Sequence, residues 1–293
     1  MPDRRSIQIR DPFILPLPDR QCYVMYGTTD QQCWAGPGGG FDAYTSSDLE
    51  HWEGPFPAFR PTTTFWGTEN FWAPEVHRYA DRYYMLATFK APGRCRGTHI
   101  LVADEPLGPF LPLTEMPITP SHWECLDGTL YIENGVPWIV FCHEWLQAID
   151  GRVVAMPLSS DLQRVVGPAT VLFAASSAPW VRAIPHEEGR QDGHYVTDGP
   201  FLFRADGELM MLWSSFSDHG YALGLARSAN GVLGPWIHVP EPVFDGNGGH
   251  AMIFRRFDGQ HMLALHQPNR PPDERAMFLD VHLANVTLGE VAA

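Results

Sequence analysis

Short apolar stretches alternate with polar turns along the whole chain. Stretches such as CYVMYG, at positions 22–27, mix β-branched and aromatic residues with small ones, and segments rich in Asp, Asn, Gly and Pro separate them. A helical period of 3.6 residues is nearly absent. The pattern therefore predicts an all-β protein with short, mostly antiparallel strands, tight turns and negligible helix.

The stretches group into a unit of strand, turn, strand, loop and strand that returns five times, at a spacing of about 50 to 70 residues. The first strands of the five units read RDPFILPL, WAPEVHRY, LDGTLYIE, TDGPFLFR and GHAMIFRR. Such a unit cannot bury both of its faces alone, so radial stacking into a five-bladed β-propeller is predicted. A β-sandwich is the alternative fold.

The repeats also predict how the chain is divided. All of residues 1–293 are assigned to a single catalytic domain. Its blades are expected at roughly 7–60, 65–118, 122–175, 194–240 and 245–290.

The start of each first strand is where chemistry is expected. In a propeller these strands lie innermost, so the residues that open them face a central pocket. Aligning the five starts brings together Asp11, Glu75, Asp127, Asp198 and His250. Like charges held close together cost energy that a purely structural site would avoid. Facing carboxylates are also what the cleavage of a glycosidic bond requires, one as acid and one as base or nucleophile.

Aromatic residues near these strand ends suit a sugar, because a flat ring can stack on the apolar face of a pyranose or furanose. The residues concerned are Phe71, Trp72, Trp123, Trp145 and Trp180. Aromatic rings in a propeller also fill the gaps between blades, and the sequence leaves both roles open for each ring.

Charge and cysteine content limit the classes of binding partner and the cellular compartment. A formal net charge of −14 argues against binding to nucleic-acid phosphates or anionic lipid. No apolar run reaches the roughly 18 residues of a membrane span. The five cysteines are odd in number and form no CxxC pair. The N-terminus, MPDRRSIQ, lacks an apolar signal region, so a cytoplasmic protein is expected, or a periplasmic or secreted one if the chain has been trimmed.

Taken in order, the motifs resemble glycoside hydrolase family 43, the inverting arabinofuranosidases and xylosidases on a five-bladed propeller. The motifs that carry the resemblance are RDPFI, FWAPEVHRYADRYYML, LDGTLY, VTDGPFLFRADGELMMLWSS and GGHAMIF. The likeness extends from Ile9 to about Leu288. It implies hydrolysis of terminal α-L-arabinofuranosyl or β-D-xylosyl linkages in plant-type oligosaccharides. It implies no organic cofactor, and the oligomeric state is left open.

The resemblance also implies roles for individual residues. Asp11 would be the general base, Asp127 the carboxylate that tunes the acid and orients the sugar, and the fourth-blade position the acid. His250 would be the central histidine that holds a water, or a structural Ca²⁺ reached through coordinated water. The substrate-binding candidates are Phe71, Trp72, Glu75, His143, Trp145 and His250.

The fourth blade departs from the family pattern. Members usually carry Glu before GP, whereas this chain has Asp198. The missing methylene shortens the reach by on the order of 1.5 Å, and an error of about 1 Å can reduce a rate roughly a hundredfold. Glu144 in CHEW, or Glu187 or Glu188 in HEEG, could supply the proton instead.

Two further functions stay open. RDP and WEC, the latter at 123–125, are also short signatures of the retaining β-fructofuranosidases. The NDPNG element that supplies the nucleophile in that family does not occur in this chain. A non-catalytic sugar-binding propeller is the other alternative, chiefly because of the Asp198 departure.

Overall fold

The computed structural model is a five-bladed β-propeller and describes residues 2–184 and 193–283, together with the backbone of 287–288. Within this part of the chain, five antiparallel sheets of four strands each follow one another in sequence. The predicted fold class is therefore confirmed. Each blade carries one outer strand more than the three-strand unit that the sequence predicted.

Every blade is built from strands consecutive in the sequence. Blade 1 comprises β1 (Arg10–Leu17), β2 (Cys22–Thr28), β3 (Phe41–Ser46) and β4 (Glu53–Phe59). Blade 2 comprises β5 (Glu69–Tyr79), β6 (Arg82–Ala91), β7 (Arg94–Ala103) and β8 (Leu111–Pro112). Blade 3 comprises β9 (Cys125–Glu133), β10 (Val136–His143), β11 (Arg152–Pro157) and β12 (Thr170–Ala174). Blade 4 comprises β13 (Asp198–Ala205), β14 (Glu208–Ser217), β15 (Gly220–Ser228) and β16 (Ile237–His238). Blade 5 comprises β17 (Gly249–Arg255), β18 (His261–Gln267), β19 (Arg275–His282) and β20 (Thr287–Leu288).

Helix is scarce in the described residues. It is limited to one turn, α1 (Trp145–Ala148), and to the 3₁₀ turns Arg4–Ser6, Pro18–Arg20 and Ala175–Ser177. The helix α1 follows β10 and lies at the mouth of the pocket described below.

Blade stacking explains why the inner strands read as continuous apolar runs. The strand β6 is buried over nearly its whole length, since both of its faces are covered by neighbouring blades. The apolar side chains form layers between adjacent blades, with Trp52 and Trp213 among the largest fully buried residues. Outer strands such as β4 are largely exposed.

Each innermost strand carries a β-bulge close to its start. At each bulge one residue adopts a left-handed backbone conformation with a φ angle close to +50°. These residues are Asp11 (52°), Ala73 (46°), Asp127 (54°), Gly199 (50°) and His250 (50°). Only glycine adopts this conformation without strain. Because the conformation recurs in all five blades, these residues occupy equivalent positions, at which the bulge changes the direction of the side chain.

The bulges correct the alignment of strand starts made from the sequence. In blade 2 the equivalent residue is Ala73, two positions before Glu75, and in blade 4 it is Gly199, one position after Asp198. Asp198 holds the paired position that Arg10 holds in blade 1. The alignment was wrong in these two blades because it followed acidic residue type, whereas the bulge selects for backbone conformation.

Hydrogen bonds from the bulge amides join neighbouring blades. In four junctions the bulge N–H donates to a side chain on the second strand of the preceding blade. These bonds join Ala73 N to Thr28 Oγ1 (2.9 Å), Asp127 N to Thr88 Oγ1 (2.9 Å), His250 N to Ser214 Oγ (2.8 Å) and Asp11 N to His266 Nδ1 (3.2 Å). At the fifth junction the second strand offers Cys142, a weak acceptor, and Gly199 N donates to Asp127 Oδ2 instead (3.1 Å). We call these five bonds the bulge ring.

Side chains and loops close the propeller between its first and last blades. Blade 1 takes all of its strands from one end of the chain and blade 5 takes all of its strands from the other. Ile9 N donates to the Glu274 carbonyl at 3.1 Å, and the Arg10 guanidinium pairs with the Glu274 carboxylate at 2.7 Å. Arg275 also donates to the carbonyl of Arg5 at 2.8 Å. The closure therefore depends on residues next to Asp11.

The bulge ring makes a prediction about stability. Thr88→Val keeps the shape of a fully buried side chain but leaves the Asp127 amide without its acceptor. A buried amide left unpaired costs about 1–3 kcal/mol, so the free energy of unfolding should fall by about that amount. Urea unfolding measures the change. Thr63→Val, on an exposed loop, is the matched control, and equal stabilities of the two variants would contradict the role of the ring.

Candidate active site

A pocket of about 420 Å³, here called the axial pocket, opens at the bulges. Its floor contains the bulge residues Asp11, Asp127 and His250, and Asp198 lies beside them. The walls include Arg10, Trp34, Asn70, Trp72, Arg96, Glu144, Trp145, Leu146, Phe216, Tyr221 and Asn269. The structure thus brings together the three predicted catalytic carboxylates, and also Glu144.

His250 lies between two of these carboxylates. Its Nδ1 is 3.2 Å from Asp11 Oδ1 and 3.6 Å from Asp127 Oδ2. A methyl group at Gly199 would lie 2.7 Å from the imidazole ring, so the glycine of TDGP leaves the space that the ring fills. The imidazole therefore fixes the relative positions of Asp11 and Asp127.

Asp11 is held in its ionised form. Burial acts to raise its pKa, but His250 and Arg10 together lower the pKa well below the usual aspartate value. The Thr28 hydroxyl also donates to Asp11 Oδ2, at 3.0 Å. At neutral pH this carboxylate is an acceptor, which a general base must be.

His266 completes the surroundings of Asp11. Burial lowers the pKa of its imidazole, with the nearby Arg10 charge acting in the same direction. We assign the neutral tautomer in which Nδ1 accepts from the Asp11 amide and Nε2 faces Asn269 Oδ1 at 3.3 Å. The ring then positions the Asp11 backbone.

Asp127 and Asp198 do not both ionise near neutral pH, so the pair keeps a proton. Burial raises the pKa of Asp127 well above its usual value, and the negative charge of Asp11 adds to this effect. Burial, followed by the charge of Asp127, raises the pKa of Asp198 to about 7. The Tyr221 hydroxyl donates to Asp198 Oδ2 at 3.1 Å. Asp198 can therefore carry a proton near neutral pH, which a general acid must do.

Glu144 has a different environment. Its carboxylate accepts a hydrogen bond from Arg96, whose guanidinium also lies 4.4 Å from the centroid of the Trp72 ring and donates to Asn70 Oδ1 at 3.2 Å. Burial raises the pKa of Glu144, while the Arg96 charge opposes that shift. A carboxylate already bonded to a guanidinium is a poorer proton donor than Asp198, whose hydrogen bond comes from the neutral Tyr221 hydroxyl.

Three predicted binding residues do not line the axial pocket. Phe71 packs in the layer between blades 1 and 2, where its ring centroid is 4.8 Å from that of Phe89. Glu75 is buried and bonded to His77 at 3.0 Å. His143 stacks on the ring of Trp123, with the centroids 4.5 Å apart. Phe71 therefore belongs to an interblade layer, whereas Glu75 and His143 pair with side chains of their own blades outside the axial pocket.

The other predicted rings divide between the pocket and the core. Trp72 and Trp145 line the axial pocket as predicted, and the Trp72 indole N–H donates to the carbonyl of Cys33 at 2.5 Å. Trp180 is buried between blades 3 and 4, 5.2 Å from Trp213 between ring centroids. Glu187 and Glu188, the remaining candidate acids, lie outside the described residues.

Sequence reasoning missed Trp34, Arg96, Tyr221 and Asn269. They come from loops or from third strands, which reach the pocket only through tertiary packing. For Tyr221 a signal was present, because it opens the strand β15 that follows the TDGP hairpin.

A structural Ca²⁺ near His250 was one expectation from the sequence. Within the described parts of the chain, no group of three or more His, Cys, Asp or Glu side chains is arranged to hold a metal ion. Near His250 the carboxylates of Asp11 and Asp127 are already engaged by the imidazole, whereas Ca²⁺ takes six to eight oxygen ligands. These residues do not fit a directly bound Ca²⁺, and no step below uses one.

Comparison with known proteins agrees with this geometry. The model of the family "Glycosyl hydrolases family 43" matches residues 6–287, nearly the whole chain. The chain belongs to glycosyl hydrolase family 43.

Two curated proteins are similar to part of the chain. The chain is 26% identical over 208 residues to α-L-arabinofuranosidase 43 of Humicola insolens, covering 64% of this chain and 40% of that protein. It is 27% identical over 188 residues to an extracellular exo-α-(1→5)-L-arabinofuranosidase of Streptomyces chartreusis, covering 61% and 54%. The chain thus spans about half the length of these curated relatives.

A solved structure matches over nearly its full length. It is described as an endo-arabinase from Bacteroides thetaiotaomicron and superposes with a TM-score of 0.89 at 42% identity, covering 97% of this chain and 98% of that one.

In the described part of this family 43 chain, no helix has the length and apolar character needed to cross a membrane.

The protonation of Asp198 predicts a pH-dependent stability. The pKa of Asp198 in the folded protein lies above its usual value of 3.8. The side chain therefore makes its full contribution to stability below about pH 4, and this contribution is lost as the pH rises through about 7. The side chain of Asp198→Asn cannot ionise, so the variant does not lose this stability. The variant should therefore gain stability relative to the wild type between pH 5 and 8, as measured by urea unfolding across that range.

Asp81→Asn is the control for this prediction, because the Asp81 side chain is 96% exposed. Its stability should differ from that of the wild type by the same small amount at every pH. A pH-independent difference for Asp198→Asn would show that Asp198 is ionised throughout and is not held as an acid.

Proposed function

We propose that this family 43 protein is an inverting glycosidase that hydrolyses terminal α-L-arabinofuranosyl linkages, with β-D-xylosyl linkages as the second substrate class. The observation that carries the proposal is one pocket that holds two carboxyls with different partners, Asp11 contacted by His250 and Asp198 by the Tyr221 hydroxyl. Asp11 is held ionised, and Asp198 holds a proton to about pH 7. Two carboxyls driven to different protonation states are what an acid and base pair needs.

In the proposed reaction, Asp11 accepts a proton from a water molecule as the water oxygen attacks the anomeric carbon. Asp198 donates its proton to the glycosidic oxygen, whose bond to the anomeric carbon breaks as the new bond forms. The products are a free sugar of inverted configuration and an alcohol on the remaining chain. Asp11 leaves the step protonated and Asp198 ionised, and exchange with solvent restores both.

Asp127 acts on both partners in this scheme. It lies 3.6 Å from the His250 nitrogen that contacts Asp11, and its proximity is the second cause of the raised pKa of Asp198. Ionisation of Asp127 opposes ionisation of Asp198, which fits a group that tunes the acid. His250 is a positioning residue, because it holds the two carboxylates and donates its backbone N–H to Ser214.

The sugar is inferred from the relatives and from the walls of the axial pocket. Two curated relatives and the similar solved structure are all named for action on arabinose polymers or arabinofuranosides. Trp72 and Trp145 present aromatic surface on two sides of the pocket, which suits the apolar face of a furanose. We therefore rank arabinofuranosyl substrates above xylosyl ones.

The identity of the acid can be tested by varying the leaving group. A general acid matters greatly for a sugar alkoxide and little for a dinitrophenolate, which leaves without a proton. Asp198→Ala should reduce the cleavage of arabino-oligosaccharides by on the order of 10²- to 10⁴-fold and retain much of the activity on dinitrophenyl glycosides. Asp11→Ala should lose both activities. Steady-state kcat/KM on the two substrates measures the effect.

Glu144→Gln serves as the matched comparison, since it keeps the shape of the side chain that Arg96 contacts. It should lower both activities by similar factors. If instead Glu144→Gln shows the leaving-group dependence and Asp198→Ala a uniform loss, the acid is Glu144. A wild-type protein that turns over neither substrate would favour the sugar-binding propeller.

The stereochemistry of the product is a second test. Proton NMR of the first product formed should show the anomeric configuration opposite to that of the substrate, because water attacks from the face opposite the leaving group. Retention of configuration would overturn Asp11 as a base and favour the β-fructofuranosidase-like scheme. Early time points are needed, since the free sugar changes its anomeric form in water.

A further inference from the structure

Trp34 stands apart from the other aromatic residues of the protein. Among the large hydrophobic side chains that are strongly exposed in the described residues, it is the one aromatic ring, with 58% of its surface exposed. It is also part of the wall of the axial pocket. A single exposed apolar side chain is ordinary on a protein surface, so the exposure alone carries no argument.

One face of the Trp34 ring is covered by a fixed cation. The guanidinium carbon of Arg10 lies 5.0 Å from the ring centroid, within the range of a cation–π contact. Arg10 cannot move freely, because its Nη1 donates to Glu274 at 2.7 Å and to Asn269 at 2.9 Å. The arginine thus fixes the tilt of the indole while leaving more than half of its surface open.

The loop that carries Trp34 is also held in place. The neighbouring Cys33 is buried, and its carbonyl accepts a hydrogen bond from the indole N–H of Trp72 at 2.5 Å. A turn closed by Ala35 N and the Gln32 carbonyl, 2.8 Å apart, encloses the two residues. Trp34 is therefore tied to the pocket wall as well as to Arg10.

A second strongly exposed apolar residue lines the same pocket. Leu146, on the helix α1 of blade 3, is 51% exposed and lies next to Trp145. The preorganised ring of Trp34, from blade 1, and this leucine, from blade 3, give the pocket two exposed apolar surfaces that a sugar chain could contact as it leaves.

We propose that Trp34 is a stacking platform for the sugar ring adjacent to the one that is cleaved. The inference rests on the proposed function and deepens it by naming a residue that contacts the sugar on the leaving-group side of the cleaved bond. A tryptophan fixed on both its loop and its inner face loses little conformational entropy when a ring stacks on its open face. The substrate class is therefore an oligosaccharide chain that continues past Trp34.

The test compares substrates of different length. Methyl α-L-arabinofuranoside ends at the cleaved sugar, whereas 1,5-linked arabinotriose and arabinohexaose continue beyond it. Trp34→Ala should lower kcat/KM for the two oligosaccharides about tenfold, mainly through a higher KM, and change that for the methyl glycoside by no more than about twofold. Trp34→Phe should restore most of the loss, because the phenyl ring keeps a flat face.

Ile237→Ala is the matched control, since Ile237 is 60% exposed and lies on β16, away from the axial pocket. It should leave the kinetics of all three substrates unchanged. An equal loss on the methyl glycoside and the oligosaccharides would overturn the proposal, because Trp34 would then act on the cleaved sugar. No loss on any substrate would overturn it as well.

Binding separates this inference from the proposed function. Calorimetry of arabinohexaose with Asp11→Asn protein, with and without Trp34→Ala, measures the platform without turnover. Binding weakened about tenfold by Trp34→Ala would support the platform even if the wild type proves inactive, and the proposed function alone would then fail. Absence of arabinohexaose binding to both proteins would overturn both proposals.

Discussion

The bulge ring is the constraint on which the rest of the structure depends. Five residues with left-handed backbone conformations place their amides where the preceding blade can accept a hydrogen bond. Three of those residues, Asp11, Asp127 and His250, also supply the floor of the axial pocket. The same backbone therefore holds the blades together and positions the charged groups. A change that loosened one junction would also displace a carboxylate.

The five bonds of the bulge ring use different acceptors, and these differences affect the chemistry of the site. Where blade 3 has Cys142 in place of a residue with a hydroxyl, the Gly199 amide donates its hydrogen bond to the carboxyl group of Asp127. Where blade 5 offers His266, the acceptor is an imidazole nitrogen, and its bond to the Asp11 amide positions the backbone of Asp11. The absence of a side chain at Gly199 admits His250 between Asp11 and Asp127. The site is thus built from departures from the five-fold repeat.

The repeat and the residues that lie at the bulges could be predicted from the sequence. Strand alternation and turn residues are local signals, and their five-fold return allowed the fold class to be assigned. Asp11, Asp127 and His250 were placed correctly at equivalent positions, since each directly follows a paired residue near the start of its strand. Glu75 was misplaced because WAPEV contains an acid near the expected position, while the bulge uses Ala73. Asp198 was correctly predicted to line the axial pocket, but it holds the paired position of its strand and not the bulge position.

The amino-acid sequence by itself determined the β architecture, the number of blades and the identity of the acidic residues near the axis, because these depend on patterns that extend over a few residues. Tertiary structure alone decided their protonation. Blade 5 brings His250 to Asp11, Arg10 adds a positive charge from the same strand, and burial and Asp127 raise the pKa of Asp198. The tertiary structure also decided that Phe71 packs between blades, that His143 stacks on Trp123, and that Trp34 lies on Arg10 at the pocket mouth. These contacts join residues far apart in the chain, and no local pattern encodes how closely they approach.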